Sequence, residues 1–222
     1  MLRMAAAAGA TDIAATPHAN LQYAFDPAVV ERKLSELRQA AGEIPRLHYG
    51  CEMHLTPENI QRALRSPEAY TVAHRGYLLV ELPDCQIPSN TAAIFGQMMN
   101  AGMRPVVVHP ERNPLLQTNY RELADWVEQG CVLQVTGQSF LGRFGRSAKT
   151  SAAELLKRGL VHLVASDGHD LKQRPPVLEE ARRHVEEDLG TAAAERLFLE
   201  NPACILEGKP VARAAKSSWW RR

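Results

Sequence analysis

Short apolar runs that alternate with amphipathic segments constrain this chain more than any other feature it has. Residues 77–82, 105–109, 132–136 and 161–166 are largely apolar stretches dominated by Val and Leu. A strand that faces water on one side reads as alternating polar and apolar. A strand covered on both faces reads as continuous, as these do. Residues 12–16 and 47–53 are two further strand candidates.

Helical segments separate the runs. Asp26 can cap a helix that Pro27 opens, with Val29, Val30, Lys33, Leu34 and Leu37 along one face and Gly42 ending it. Shorter or similar helices are expected at 58–64, 91–101, 120–129, 148–158, 177–189 and 192–200, and residues 1–9 read as the end of another. This βα repetition predicts a parallel sheet between helices. A barrel and an open doubly wound sheet both satisfy it.

A chain of 222 residues suits one such domain. One barrel-like domain is expected over residues 1–210, followed by a loose basic tail at 211–222, where Trp219 and Trp220 beside Arg221 and Arg222 offer an alternative reading as a docking element. A formal net charge of +1 gives no field to attract nucleic acid. No apolar run approaches a membrane span, and the Ala-rich start lacks the bulky apolar stretch of a signal peptide, so a cytoplasmic protein that is not integral to a membrane is expected. Cys51, Cys85, Cys131 and Cys204 are scattered without a Cys-x-x-Cys pair and read as buried thiols.

The chemistry-bearing residues recur at one place in this rhythm. His18 follows the first strand, Glu52 and Glu81 end the next two, His109 ends the fourth, and Asp167 and His169 end a later one. In a barrel, the C-terminal ends of parallel strands meet at one rim, where active sites form. Each residue alone is explained as well by a solvated cap or a hydrogen-bonded rim side chain. Six in strand-end register are not, because carboxylates at an apolar mouth are costly to ionise without cations. Mixed imidazole and carboxylate donors suit Mn, Fe or Zn. Arg112, three residues past His109, and Arg174, five past His169, fall on the same rim. A guanidinium fork matches phosphate oxygens, although a surface ion pair is the plainer reading of either.

The segments Ala15-Thr16-Pro17-His18, Gly50-Cys51-Glu52, Glu81-Leu82-Pro83, His109-Pro110-Glu111-Arg112, Gln138-Ser139-Phe140-Leu141-Gly142 and Ala165-Ser166-Asp167-Gly168-His169 occur in this order. Together they resemble the PHP (polymerase and histidinol phosphatase) superfamily, and within it the bacterial manganese-dependent tyrosine phosphatases of capsule and exopolysaccharide synthesis. The resemblance implies an α/β fold, a distorted TIM-like (β/α)7-type barrel, with up to three metals, usually Mn2+. It implies that Glu52 bridges two metals, that Glu81 and His109 complete the second site, that Asp167 binds the first, and that His18 and His169 bind the third. Arg112 and Arg174 would hold the phosphoryl group, with His169 or a water near the leaving group. The implied substrate is phosphotyrosine on a bacterial tyrosine kinase.

The family opens with a His-x-His strand that has no counterpart before His18. The expectation is therefore a barrel without its first strand, through a late start or a true truncation, with fewer metals and with exposed sheet edges that could pair in a homo-oligomer. His48 and His54 share strand parity with Glu52, and either could partly substitute as a ligand. Three rival functions stand beside the phosphatase. A cysteine-dependent mechanism wants Arg six positions after Cys, and those positions hold Pro57, Thr91, Gly137 and Pro210. Another PHP-type phosphomonoesterase and a weak or inactive remnant that binds phosphotyrosine tails both remain open.

Overall fold

The computed structural model describes residues 1–42 and 45–213. Eight strands are present among them: β1 (Asp12–Ala15), β2 (His18–Ala19), β3 (Arg46–Tyr49), β4 (Glu52–His54), β5 (Tyr77–Glu81), β6 (Arg104–Val108), β7 (Val132–Thr136) and β8 (Leu163–Ala165). β1 pairs with β3. The other six form one sheet in the order β2-β4-β5-β6-β7-β8, and every ladder is parallel. Parallel neighbours cannot be joined by a tight hairpin, so helices make the crossovers, including Pro27–Ala41, Thr91–Asn100, Tyr120–Gln129 and Gly145–Lys157. The mixed α/β architecture with parallel sheets matches the reading of the apolar runs. Among the described residues the sheet is an open arc, since β8 and β2 do not pair.

Both faces of the arc are covered. Leu78, Val80, Val107, Leu133, Val135 and Val164 point to the helices and pack in one core with Phe95, Leu123, Trp126, Leu155 and Leu197. The alternate residues Tyr77, Leu79, Val106, Val108, Val132 and Leu163 form a second core, closed by Ile205 with Ala14, Leu206 and Val211 against it. Each fully buried aliphatic side chain contributes about 1.5–3 kcal/mol, and two-sided burial is why the runs contain so few polar residues.

Several local expectations are corrected. The strand read across 47–53 is two short strands, interrupted at Gly50 and Cys51, with β3 paired to β1 and β4 to β2; Thr16 packs on Gly50, where a Cβ would stand 2.7 Å from its Cγ2. Asp26 does cap the helix Pro27–Ala41 by accepting from Ala28 and Val29 N–H, but only Leu34 of its apolar face is buried, and Val29 and Leu37 stay about 40% exposed. The segment read as a helix at 192–200 is Thr191–Glu195 running into a π-helical turn, Arg196–Glu200, and a further helix, Asn201–Glu207. Pro202 sits in the first turn of that last helix, where its missing N–H is tolerated. The cysteines are all free, but Cys85 is exposed and Cys204 half-buried, so only Cys51 and Cys131 are the buried thiols expected.

The first residues of the expected tail are docked. The Asn201 side chain donates to the carbonyls of His162 (2.6 Å) and Ala212 (2.9 Å) and accepts from Ala212 N–H, and Arg213 donates to Val127 O. The remainder of that segment, with Trp219 and Trp220, lies outside the described residues. No helix among the described residues is long and apolar enough to cross a membrane.

The backbone at Gly50 passes close under Thr16, two residues before Glu52. Gly50→Ala is expected to destabilise the chain by about 1–3 kcal/mol through overpacking. Thr16→Ser, which removes the facing methyl, should recover most of that loss in the double variant, as read from denaturant midpoints.

Candidate metal centre and anion clamp

The rim is built by register. His18 pairs with Glu52 across β2–β4, and His54 pairs with Glu81 across β4–β5, so four ligand-type side chains stand at two adjacent levels of one edge. His109 joins them from the end of β6: its Nε2 lies 3.3 Å from Glu52 Oε1 and 3.8 Å from Glu81 Oε1. One donor atom from each of Glu52, Glu81 and His109 falls within 4.8 Å of the other two. Glu52 and His109 are buried.

The backbone at His109 is in the left-handed region, with φ 37°, and Asp167 has φ 49°. Such a conformation is uncommon for a residue with a side chain, and in folded proteins it clusters at functional sites. At His109 it turns the imidazole out of the helix-facing layer and into the mouth. The amide of His109 stays bonded to Gln134 O at 2.8 Å, and Arg112 N–H closes the turn onto His109 O at 2.9 Å.

Glu111, quoted in the sequence only as part of a motif, proves to be an anchor. It is fully buried, accepts from Thr136 N–H (3.0 Å) and Ser139 Oγ (2.7 Å), and ties the His109–Arg112 turn to the next loop. Burial pushes its carboxyl above the ordinary range, against the pull of Ser139 and His109.

Asp167 faces the two arginines. Arg112 and Arg174 both pair with its Oδ2, and both guanidinium groups lie over the ring of Phe144, at 4.3 and 5.7 Å from its centroid. Asp170 shapes the loop that delivers Arg174 by accepting from Lys172 and Gln173 N–H at 2.6 Å, while His169 N–H bonds back to Arg174 O at 2.8 Å. Gly168 permits the sharp return of this loop, since a Cβ there would stand 2.9 Å from Pro176 Cβ. A cavity of about 100 Å3 opens beside His109, lined by Glu81, Asp84, His109, Arg112 and Asn113 among others.

The structure thus brings Glu52, Glu81 and His109 together, with His18 alongside, its Nδ1 3.5 Å from Glu52 Oε1. Asp167 and His169 stand next to this group, linked through the His18 and His169 rings 6.1 Å apart, and neither belongs to a three-donor group among the described residues. His54 also faces the group and pairs with Glu81, whereas His48 is engaged by Asp12 at 2.7 Å, away from the rim. Phe144 had no sequence signal beyond its place in a loop after Gly142, and proximity to two arginines appears only in three dimensions.

The model of the family of capsular polysaccharide synthesis proteins CpsB/CapC matches residues 1–207. The chain belongs to the CpsB/CapC family. A family relative from Bacillus subtilis (strain 168), the tyrosine-protein phosphatase YwqE, is 32% identical over 218 residues, covering 96% of this chain and 85% of that protein. The putative tyrosine-protein phosphatase CapC of Staphylococcus aureus is 32% identical over 185 residues, 81% of this chain and 72% of CapC. Among solved structures, one from the crystallography of YwqE and of CpsB from Streptococcus pneumoniae, metal-dependent tyrosine phosphatases, superposes with a TM-score of 0.89 at 31% identity, over 96% of this chain and 87% of that one.

The donor set fits a metal ion, and YwqE and CpsB are metal-dependent. His18 Nδ1 is a buried atom without a hydrogen-bond partner, and the carboxylates of Glu52 and Glu81 face imidazoles rather than Lys or Arg. Burial favours the neutral acid at Glu81, yet His54, His109 and His18 around it hold its carboxyl below the usual range. Glu81 in turn raises His54 despite partial burial, and Glu52 raises His109 although burial opposes it.

Both imidazoles therefore keep a proton above pH 6.5, their ordinary midpoint. A metal must displace those protons. Affinity for a divalent cation is expected to keep rising as pH goes from about 6.5 upward, with proton release on binding, measurable by calorimetric titration in buffers of different ionisation enthalpy. His109→Ala should remove most of this uptake.

Proposed function

We propose that this chain is a metal-dependent phosphoric monoester hydrolase that removes phosphate from tyrosine side chains of proteins. The observation that carries the reading is the convergence of Arg112 and Arg174 on a single carboxylate oxygen of Asp167, beside the Glu52–Glu81–His109 donor group. Two guanidinium groups aimed at one oxygen suit a phosphoryl dianion. The names of YwqE and CapC and the capsular role of the family support the same class of reaction.

Glu52, Glu81 and His109 would hold one ion, with His18, Asp167 and His169 as ligands to others. Mn2+ is the proposed metal, and Fe or Zn also suit these donors. A divalent ion bound here supplies an activated water and neutralises phosphoryl charge. The rest falls to the side chains. Arg112 and Arg174 orient the phosphoryl oxygens, and Phe144 braces both guanidinium groups from one side. His169, 42% exposed at the mouth with its Nδ1 3.0 Å from Asp167 O, is placed to hold a proton near the leaving group. A phenol with pKa near 10 leaves with little protonation, so positioning and charge dominate.

The substrate proposed is a phosphorylated bacterial tyrosine kinase that regulates capsule or exopolysaccharide synthesis, met in the cytoplasm. The parallel arc is proposed to be part of a distorted (β/α)7-type barrel forming one domain over residues 1–210. The six-strand order β2-β4-β5-β6-β7-β8, parallel throughout, supports this.

Release of phosphate from a phosphotyrosine peptide tests the reading. Chelation should abolish turnover and Mn2+ restore it. Arg112→Ala and Arg174→Ala should each lower kcat/KM by on the order of 100-fold or more, the scale of losing a transition-state charge contact. Small phosphate monoesters turned over as well as the peptide would point to a different phosphomonoesterase. Peptide binding without any turnover would make the chain a binding module.

A further inference from the structure

The Glu81 carboxylate has two working sides. Its Oε1 lies 3.8 Å from His109 Nε2, toward the group shared with Glu52. Its Oε2 faces the other way, 3.8 Å from His18 Nδ1 and paired with His54 Nε2. The rings of His18 and His54 meet edge to face, with centroids 5.4 Å apart and planes at 86°, so their nitrogens converge on Oε2 rather than stacking past it. One donor atom from each of the three side chains lies within 4.8 Å of the other two.

We propose that His18, His54 and Glu81 form a second divalent-cation position, with Glu81 as the carboxylate shared between it and the ion of the Glu52–Glu81–His109 group. A plain His54–Glu81 ion pair explains only part of the arrangement. It leaves His18 Nδ1, a buried atom with no hydrogen-bond partner, 3.8 Å from the oxygen that His54 already engages. A cation among the three satisfies both imidazoles and the carboxylate at once. Strand register supports the assignment independently, since it places His54 opposite Glu81 and His18 opposite Glu52.

The two positions differ in chemistry. Glu52, Glu81 and His109 offer two carboxylates and one imidazole, a harder set. His18, His54 and Glu81 offer two imidazoles and one carboxylate, the donor set of many catalytic zinc sites. The nitrogen-rich position therefore favours Zn2+ or Fe2+ over Mn2+ relative to its neighbour. This rests on the metal dependence proposed above, but it concerns which residues hold ions and not which ester is cleaved.

The test counts ions. The full 222-residue chain, stripped of metal and equilibrated with Mn2+ or with Zn2+, is analysed by elemental mass spectrometry, and the Mn2+-loaded form by electron paramagnetic resonance. His54→Ala is expected to lose one ion per chain and to convert an exchange-coupled Mn2+ spectrum into that of isolated ions. His54→Gln, which keeps the side chain's bulk, should do the same, and it decides the matter if His54→Ala fails to fold by circular dichroism. An unchanged ion count with an unchanged coupled spectrum in the folded variant overturns the proposal, even if phosphotyrosine is hydrolysed. A lost ion upholds it, even if phosphotyrosine is not.

Discussion

Parallel pairing of strand ends is the constraint from which the site follows. In a parallel ladder, residues in register point the same way at the same height. His18 beside Glu52 and His54 beside Glu81 are thus neighbours because their strands are. Below them, Leu79, Val106, Val108 and Leu163 fill the concave face with aliphatic side chains. Charge above such a layer is poorly solvated. The rim carboxylates meet that problem with imidazoles and with donor geometry that suits a cation, so the apolar floor and the polar mouth are two consequences of one strand alternation.

The loops at the strand ends then separate two tasks. The carboxylate and imidazole group sits over β4, β5 and β6. The guanidinium pair comes from the loops after β6 and β8, with Phe144 of a third loop beneath it. Asp167 stands at the junction and occupies the position on which both arginines converge. Its left-handed backbone and that of His109 cost on the order of 1–3 kcal/mol each. Neighbouring contacts hold them in place: the His109 amide on Gln134, and the Asp170 turn that returns Arg174 toward Asp167.

Glu111 shows how a charged residue can serve the site without touching it. Its carboxylate is sealed in the core and grips an amide and a hydroxyl of the following loop. The two residues that flank the turn around it, His109 and Arg112, point instead to the two halves of the site. One short motif therefore supplies a donor-type imidazole, a buried anchor and a guanidinium around a single turn.

The sequence by itself determined the strands, their parallel sense and the edge at which chemistry collects. Those depend on local periodicity and on which residues can be buried, and 77–81, 104–108 and 132–136 were legible for that reason. It also supplied Glu52, Glu81 and His109 as ligand types in strand-end register. What only the tertiary structure decided is which donors share a position. His48 and His54 have the same parity with respect to Glu52, yet one is taken by Asp12 and the other faces Glu81. The difference lies in cross-strand partners far apart in the chain, and no one-dimensional pattern records them. The same holds for Phe144 beside the arginines and for the close approach of Thr16 to Gly50. Each depends on an approach between segments that are not neighbours in sequence, where packing and not propensity sets the outcome.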